Sequence, residues 1–128
     1  MGTILAFKDL VVWKKSHQFV LEIYSVTARF PKEEVYALTS QIRRAAVSVP
    51  ANITEGFKKK TLANKINFIS HSEGSLEEVK YYLILAKDLD YISLIDFEKL
   101  SSDAEEVSKL ISGYLKSIKN YHQNNATN

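Results

Sequence analysis

Between Phe97 and Tyr121 the apolar side chains recur at strict intervals of three and four: Phe97, Leu100, Ala104, Val107, Ile111, Tyr114, Ile118 and Tyr121. That 3.5-residue period lines all of them along one stripe of an α-helix, and it is the spacing of helices that pack nearly parallel to one another. A helix patterned this way buries its stripe against other helices. Only two prolines and four glycines interrupt the 128 residues, and the same reading extends over the whole chain. It yields four helical segments joined by short links, an all-α, antiparallel up-down-up-down four-helix bundle.

The first segment spans about residues 8–29 and carries two apolar stripes. One is Leu10, Trp13, His17, Val20, Tyr24 and Thr27; the other is Val12, Ser16, Phe19, Ile23, Val26 and Phe30. One stripe suffices to join a bundle, so the second predicts a contact with another subunit. Val12, Phe19, Ile23 and Val26 are the candidates for that contact. Phe30-Pro31 ends the segment, because Pro has no N–H and restricts the residue before it.

The second segment spans about 33–57. Acidic residues sit in its first turn, where the helix dipole favours them. Its apolar face is Val35, Leu38, Ile42, Ala45, Val49 and Ile53. Pro50 falls inside this face and predicts a kink, since it frees the carbonyl of Ala46. The small neighbours Ala45, Ala46, Ser48 and Ala51 leave room for another backbone, which adds Pro50 to the assembly candidates.

Lys58 to Thr61 form a link. The third segment, about 62–89, turns Ile69, Ser72, Leu76, Val79, Leu83 and Ala86 inward, and Gly74 within it predicts a close helix approach. Ser93 or Asp96 caps the fourth segment, about 95–121. One domain occupies residues 1–122, and the polar stretch 123–128 reads as a frayed, disordered tail.

Several functional classes are excluded by what the chain lacks. Without cysteine there is neither a disulfide framework nor a thiolate zinc site. Bundle-core metal sites need a Glu-x-x-His pair, which does not occur. His71 with Glu73 has the His-x-Glu spacing of zinc deaminases but no Cys-x-x-Cys partner. His17 reads as a buried, hydrogen-bonded histidine. No arginine has a histidine four to six residues after it, and there is no glycine-rich phosphate loop. The expectation is therefore no catalytic residue, no metal and no cofactor.

The longest run without a formal charge, Ala45 to Thr54, is about half the length of a membrane helix. Lys8 and Asp9 break any leader-like pattern. A cytoplasmic protein is expected.

Two charged features remain. Arg43 and Arg44 lie beside the small-residue face of the second segment, and Lys58, Lys59 and Lys60 follow its end, with Lys65 nearby. Lysines after a helix C-terminus often do no more than answer its dipole. Guanidinium groups bind carboxylates and phosphates bidentately, so the arginine pair suits either a subunit contact or a phosphate backbone. A net charge of +2 does not choose between these.

The stretch Tyr36-Ala-Leu-Thr-Ser-Gln-Ile-Arg-Arg-Ala-Ala-Val-Ser-Val-Pro-Ala-Asn-Ile-Thr-Glu-Gly56 closely resembles the signature of the four-helix-bundle proteins encoded in intervening sequences of 23S rRNA genes. Phe7-Lys-Asp-Leu-Val-Val-Trp-Lys-Lys15, Phe30-Pro31 with Glu34, and Gly74-Ser-Leu-Glu-Glu78 followed by Tyr82 match further parts of that family's pattern. Ala37 departs from it, standing where the family commonly has Gly.

The family in turn resembles the accessory variability protein of diversity-generating retroelements. The resemblance implies a bacterial homopentamer that binds RNA or DNA, or a protein partner such as a reverse transcriptase. Two readings follow from it. One is a non-enzymatic nucleic-acid-binding oligomer or ribonucleoprotein scaffold. The other is a protein-interaction adaptor that binds no nucleic acid.

Overall fold

The computed structural model describes residues 4–126, with side chains as far as residue 124. After a 3-10 turn at Phe7–Asp9 come α1 (Val11–Thr27), a second 3-10 turn (Lys32–Glu34), α2 (Leu38–Phe57), α3 (Leu62–Asp88) and α4 (Leu94–Ala126). The four helices close a ring: α1 and α3 each pack on α2 and α4.

Contacts across each pair run in opposite order along the two helices. Trp13 meets Thr54 while Thr27 meets Arg43. Lys65 reaches Phe57 while Ser75 reaches Ser48. Lys80 pairs with Glu105 and Lys87 lies over Phe97. The links of residues 58–61 and 89–93 are far too short to span a helix of 27 residues, about 40 Å at 1.5 Å per residue.

The inward stripes of α3 and α4 are those read from periodicity. Ile69, Ser72, Leu76, Val79, Leu83 and Ala86 are buried, as are Leu100, Ala104, Val107, Ile111 and Ile118. Each large side chain so buried contributes about 1.5–3 kcal/mol. Tyr121 closes the α4 stripe exposed.

The two stripes of α1 divide differently from the expectation. Val12, Phe19 and Ile23 are at most 4% exposed inside the chain's own core, and Val26 packs half-buried against it. Pro50 is buried as well. These side chains are already used by the monomer, so they have little surface left to offer a second subunit. The face that α1 leaves in water carries Val11, Leu21 and Tyr24.

The helix boundaries also shift. Leu10 is extended (φ −73°, ψ 131°), so α1 begins three residues later than expected. Ala37, at φ −125° and ψ −106°, delays α2 to Leu38. This leaves Val35 49% exposed instead of on the core face. Glu34 still serves the start of α2, because its Oε1 accepts from the Leu38 N–H at 3.2 Å. Its Oε2 accepts from the Tyr91 hydroxyl at 2.7 Å and so ties that start to the α3–α4 link. This bond raises the Tyr91 pKa.

Ser93 is the cap of α4, accepting from the Asp96 N–H at 3.1 Å, and Thr61 caps α3 in the same way. At the other end of α3, Asp90 takes a left-handed conformation (φ 61°). The Tyr91 N–H returns to Ala86 and the Asp90 N–H to Lys87, which closes the helix as a Schellman turn. The α4 helix carries on to Ala126, past Gln123 where a disordered tail was expected, and Thr127 and Asn128 lie outside the described residues.

Pro50 sits within α2, which is continuous from Leu38 to Phe57. Around it α3 approaches through serines. The Ser72 hydroxyl donates to the Val49 carbonyl, and Ser75 Oγ meets Ser48 Oγ at 2.8 Å. On the α1 side, Thr54 Oγ1 donates to the Pro50 carbonyl and accepts from the Trp13 indole at 3.0 Å.

Of the helical glycines Gly56 and Gly74, Gly56 and not Gly74 lies tight against a neighbouring helix. A Cβ on Gly56 would lie 3.0 Å from Phe68 Cβ, whereas one on Gly74 would meet nothing within 4 Å. In Gly56→Ala the cost of forcing α2 and α3 apart, about 1–3 kcal/mol, is set against a helix-propensity gain of about 1 kcal/mol, and the net should lower the unfolding free energy. Gly74→Ala should raise it by about 1 kcal/mol through helix propensity alone. Urea unfolding of the two variants should give midpoint shifts of opposite sign.

Candidate nucleic-acid interface

The basic residues singled out in the sequence occupy three different environments. Arg43 leaves α2 toward the last turn of α1. Its Nε donates to Thr27 Oγ1 at 2.7 Å, an Nη donates to the Tyr24 carbonyl at 3.3 Å, and the guanidinium lies 4.5 Å from the centre of the Tyr24 ring. The Thr27 hydroxyl in turn donates to the Ile23 carbonyl at 2.7 Å. Arg43 thus satisfies the C-terminal end of α1, where a cation also complements the helix dipole. It is a structural clamp between α1 and α2. Arg44, one residue on, is exposed and makes no hydrogen bond or ion pair among the described residues.

Lys65 is likewise bound within the chain. Its ammonium donates to the Phe57 carbonyl at 2.8 Å and lies 3.4 Å from that of Gly56, at the end of α2. Burial pushes its pKa below the ordinary lysine range. Lys59 rests over the Phe68 ring at 5.1 Å. Lys58 and Lys60 are exposed, with no partner among the described residues.

The two clusters are not one site. Arg44 and Lys58 lie 14 residues apart on a helix rising 1.5 Å per residue, about 21 Å.

Beside Arg44 runs a shallow open groove between α1 and α2, lined by Tyr24, Val35, Tyr36, Arg43, Val47 and Ala51. Tyr36 is 95% exposed, and Tyr24, Val35 and Val47 are each 40% or more. These side chains form an apolar strip that sequence reasoning missed. The only available signal was the surplus stripe of α1, and periodicity does not tell which of two stripes faces in.

His17, expected to be buried, is exposed and stacked on Trp13 with ring centres 5.0 Å apart. Among the described residues, no group of three or more His, Cys, Asp or Glu side chains is arranged to hold a metal. No described helix is long and apolar enough to cross a membrane.

Comparison with known proteins puts this geometry in context. The sequence profile described as 23S rRNA-intervening sequence protein matches residues 8–113. No curated protein sequence matches the chain. Among solved structures, the chain is similar to a crystal structure from Bacteroides thetaiotaomicron, described as a protein with unknown function from the S23 ribosomal protein family. The TM-score is 0.78 and the identity 29%, covering 85% of this chain and 98% of that one.

Removing the Arg43 clamp should be felt as stability. Arg43→Ala takes from the Thr27 hydroxyl the donor it accepts from, while the Tyr24 carbonyl keeps the Ala28 N–H, and should cost about 1 kcal/mol. Arg44→Ala should fall within about 0.5 kcal/mol of the parent. Thermal unfolding followed by circular dichroism separates the two.

Proposed function

The chain belongs to the 23S rRNA-intervening sequence protein family, and from that premise we propose that it is a non-enzymatic, oligomeric helical bundle that binds structured RNA or scaffolds a ribonucleoprotein in the cytoplasm. The observation that carries this reading is the state of Lys58 and Lys60. The carbonyls at the end of α2 are already served by Lys65. Lys58 and Lys60 are left over, on an exposed turn, as cations for an outside anion.

The apolar strip supports assembly. A contiguous exposed patch flanked by polar residues is the ordinary mark of a protein contact, and Tyr is among the residues enriched at such contacts. In this reading the strip around Tyr36 and Val47, with Arg44 at its edge, meets a second subunit. The sequence resemblance sets the expected number of subunits at five.

The strip also supports a second reading, in which it receives a different protein, such as a reverse transcriptase, and the lysines stay in water. Titration with a structured RNA at 50 and 200 mM salt separates the readings. The first expects binding that weakens steeply between the two, because each phosphate contact releases condensed counterions. Absence of binding at 50 mM, or affinity indifferent to salt, defeats it. Val47→Asp is expected to dissociate the oligomer in light scattering, since it buries a carboxylate in the contact; an unchanged mass would remove the strip from the assembly.

A further inference from the structure

The formal charge of +2 conceals a segregation along the bundle axis. The antiparallel order places the start of α1, the end of α2, the start of α3 and the second half of α4 at one end. Trp13 bonded to Thr54 and Lys65 bonded to Phe57 mark this end, as does the cleft where Leu10 and Val12 face Lys109 and Ser117. Residues 8–19, 49–73 and 106–126 make it up. They hold ten lysines against four carboxylates (Asp9, Glu55, Glu73 and Glu106), a formal +6. The remainder of the chain has seven cations against eleven carboxylates, a formal −4.

The pairing of these charges is segregated too. Away from the basic end four of the seven cations are in ion pairs: Arg29 with Asp96, Lys80 with Glu77 and Glu105, Lys87 with Asp88, and Lys99 with Glu22 and Asp103. At the basic end Lys15–Glu106, at 3.5 Å, is the one ion pair among the described residues. Besides Lys58 and Lys60, Lys8, Lys14, Lys109, Lys116 and Lys119 have no ion pair or hydrogen bond there. Helix dipoles do not create or cancel this field, because two N-termini and two C-termini, each worth about half a charge, share the end.

We infer that this whole end of the bundle, built from all four helices, is a docking surface for the phosphate backbone of structured RNA, read without regard to base sequence. The inference rests on the proposed RNA binding and extends it from the Lys58–Lys60 turn to α1 and α4. The cations are lysines, point charges suited to phosphate, and not the arginine forks that read bases bidentately. Lys109 and Lys116 stand two helical turns apart, about 10.5 Å. With the α2–α3 turn they distribute charge over an extended face, as a polyanion requires.

An anionic membrane fits less well. A helix lying in a membrane inserts an apolar face beside its cations, whereas the apolar stripe of α4 here, Ile111 and Ile118, is buried in the core.

The test compares two double variants of the full chain, Lys58→Glu/Lys60→Glu and Lys116→Glu/Lys119→Glu, on a 20-base-pair RNA duplex, each variant checked by circular dichroism and light scattering. The α4 variant should bind at least tenfold more weakly than the parent. Its slope of log affinity against log salt should be shallower by about two, near one for each lost phosphate contact. A duplex of scrambled sequence should bind the parent within about twofold of the original.

Parent-like affinity of the α4 variant alongside loss in the Lys58/Lys60 variant overturns the four-helix surface and leaves the proposed function standing. Absence of binding by the parent at low salt overturns both. A preference above tenfold for one duplex sequence also overturns the inference. So does lysine-dependent binding to vesicles containing phosphatidylserine with none to RNA.

Discussion

Everything else in the bundle is positioned by the close seating of α3 on α2. Small side chains make it possible. Gly56 lets Phe68 approach to a distance that a methyl group would contest, while Ser72 and Ser75 reach the backbone and side chains around Pro50. A proline inside a helix removes one backbone donor and crowds the preceding turn. Here the neighbouring helices bond to the turn that carries it, Ser72 of α3 to the Val49 carbonyl and Trp13 of α1 to the Thr54 hydroxyl, which itself donates to the Pro50 carbonyl. The Tyr36–Gly56 stretch is therefore recognisable for a structural reason: it is the surface on which both neighbouring helices are aligned.

That alignment decides where the charges go. Once α2 and α3 are antiparallel and joined by a four-residue link, Lys58–Lys60 must project from one end. Lys65 folds back to close α2, and α1 and α4 bring their own lysines to the same end. At the opposite end carboxylates predominate and the cations are mostly engaged. Such exposed ion pairs are worth only about 0.2–1 kcal/mol each. Their consequence lies less in stability than in the field they leave, a bundle with one net acidic end and one net basic end. The proposed RNA surface and the apolar strip around Tyr36 then occupy different parts of the molecule, so assembly and anion binding need not compete for the same residues.

Arg43 and Arg44 show how far a local pattern reaches. As neighbours in sequence they looked like one feature with one purpose. On a helix, adjacent residues point about 100° apart. Arg43 is directed at the end of α1, where it meets the Thr27 hydroxyl and the ring and carbonyl of Tyr24, and Arg44 is directed at water. The same geometry explains the two stripes of α1. Val12, Phe19 and Ile23 are indistinguishable from an interface by composition, and only the partner helices determine that they form the core.

The sequence by itself determined four helices and the inward faces of α3 and α4, and narrowed the cap of α4 to Ser93 or Asp96, because a 3.5-residue repeat and the reach of a capping side chain are local properties of the chain. The extent of α4 past Gln123, the delayed starts of α1 and α2, the burial of Val12, Phe19 and Ile23, and the close approach at Gly56 and not Gly74 were decided by the tertiary structure. So was the gathering of ten lysines at one end, since charges distant in sequence add up only when the fold makes them neighbours.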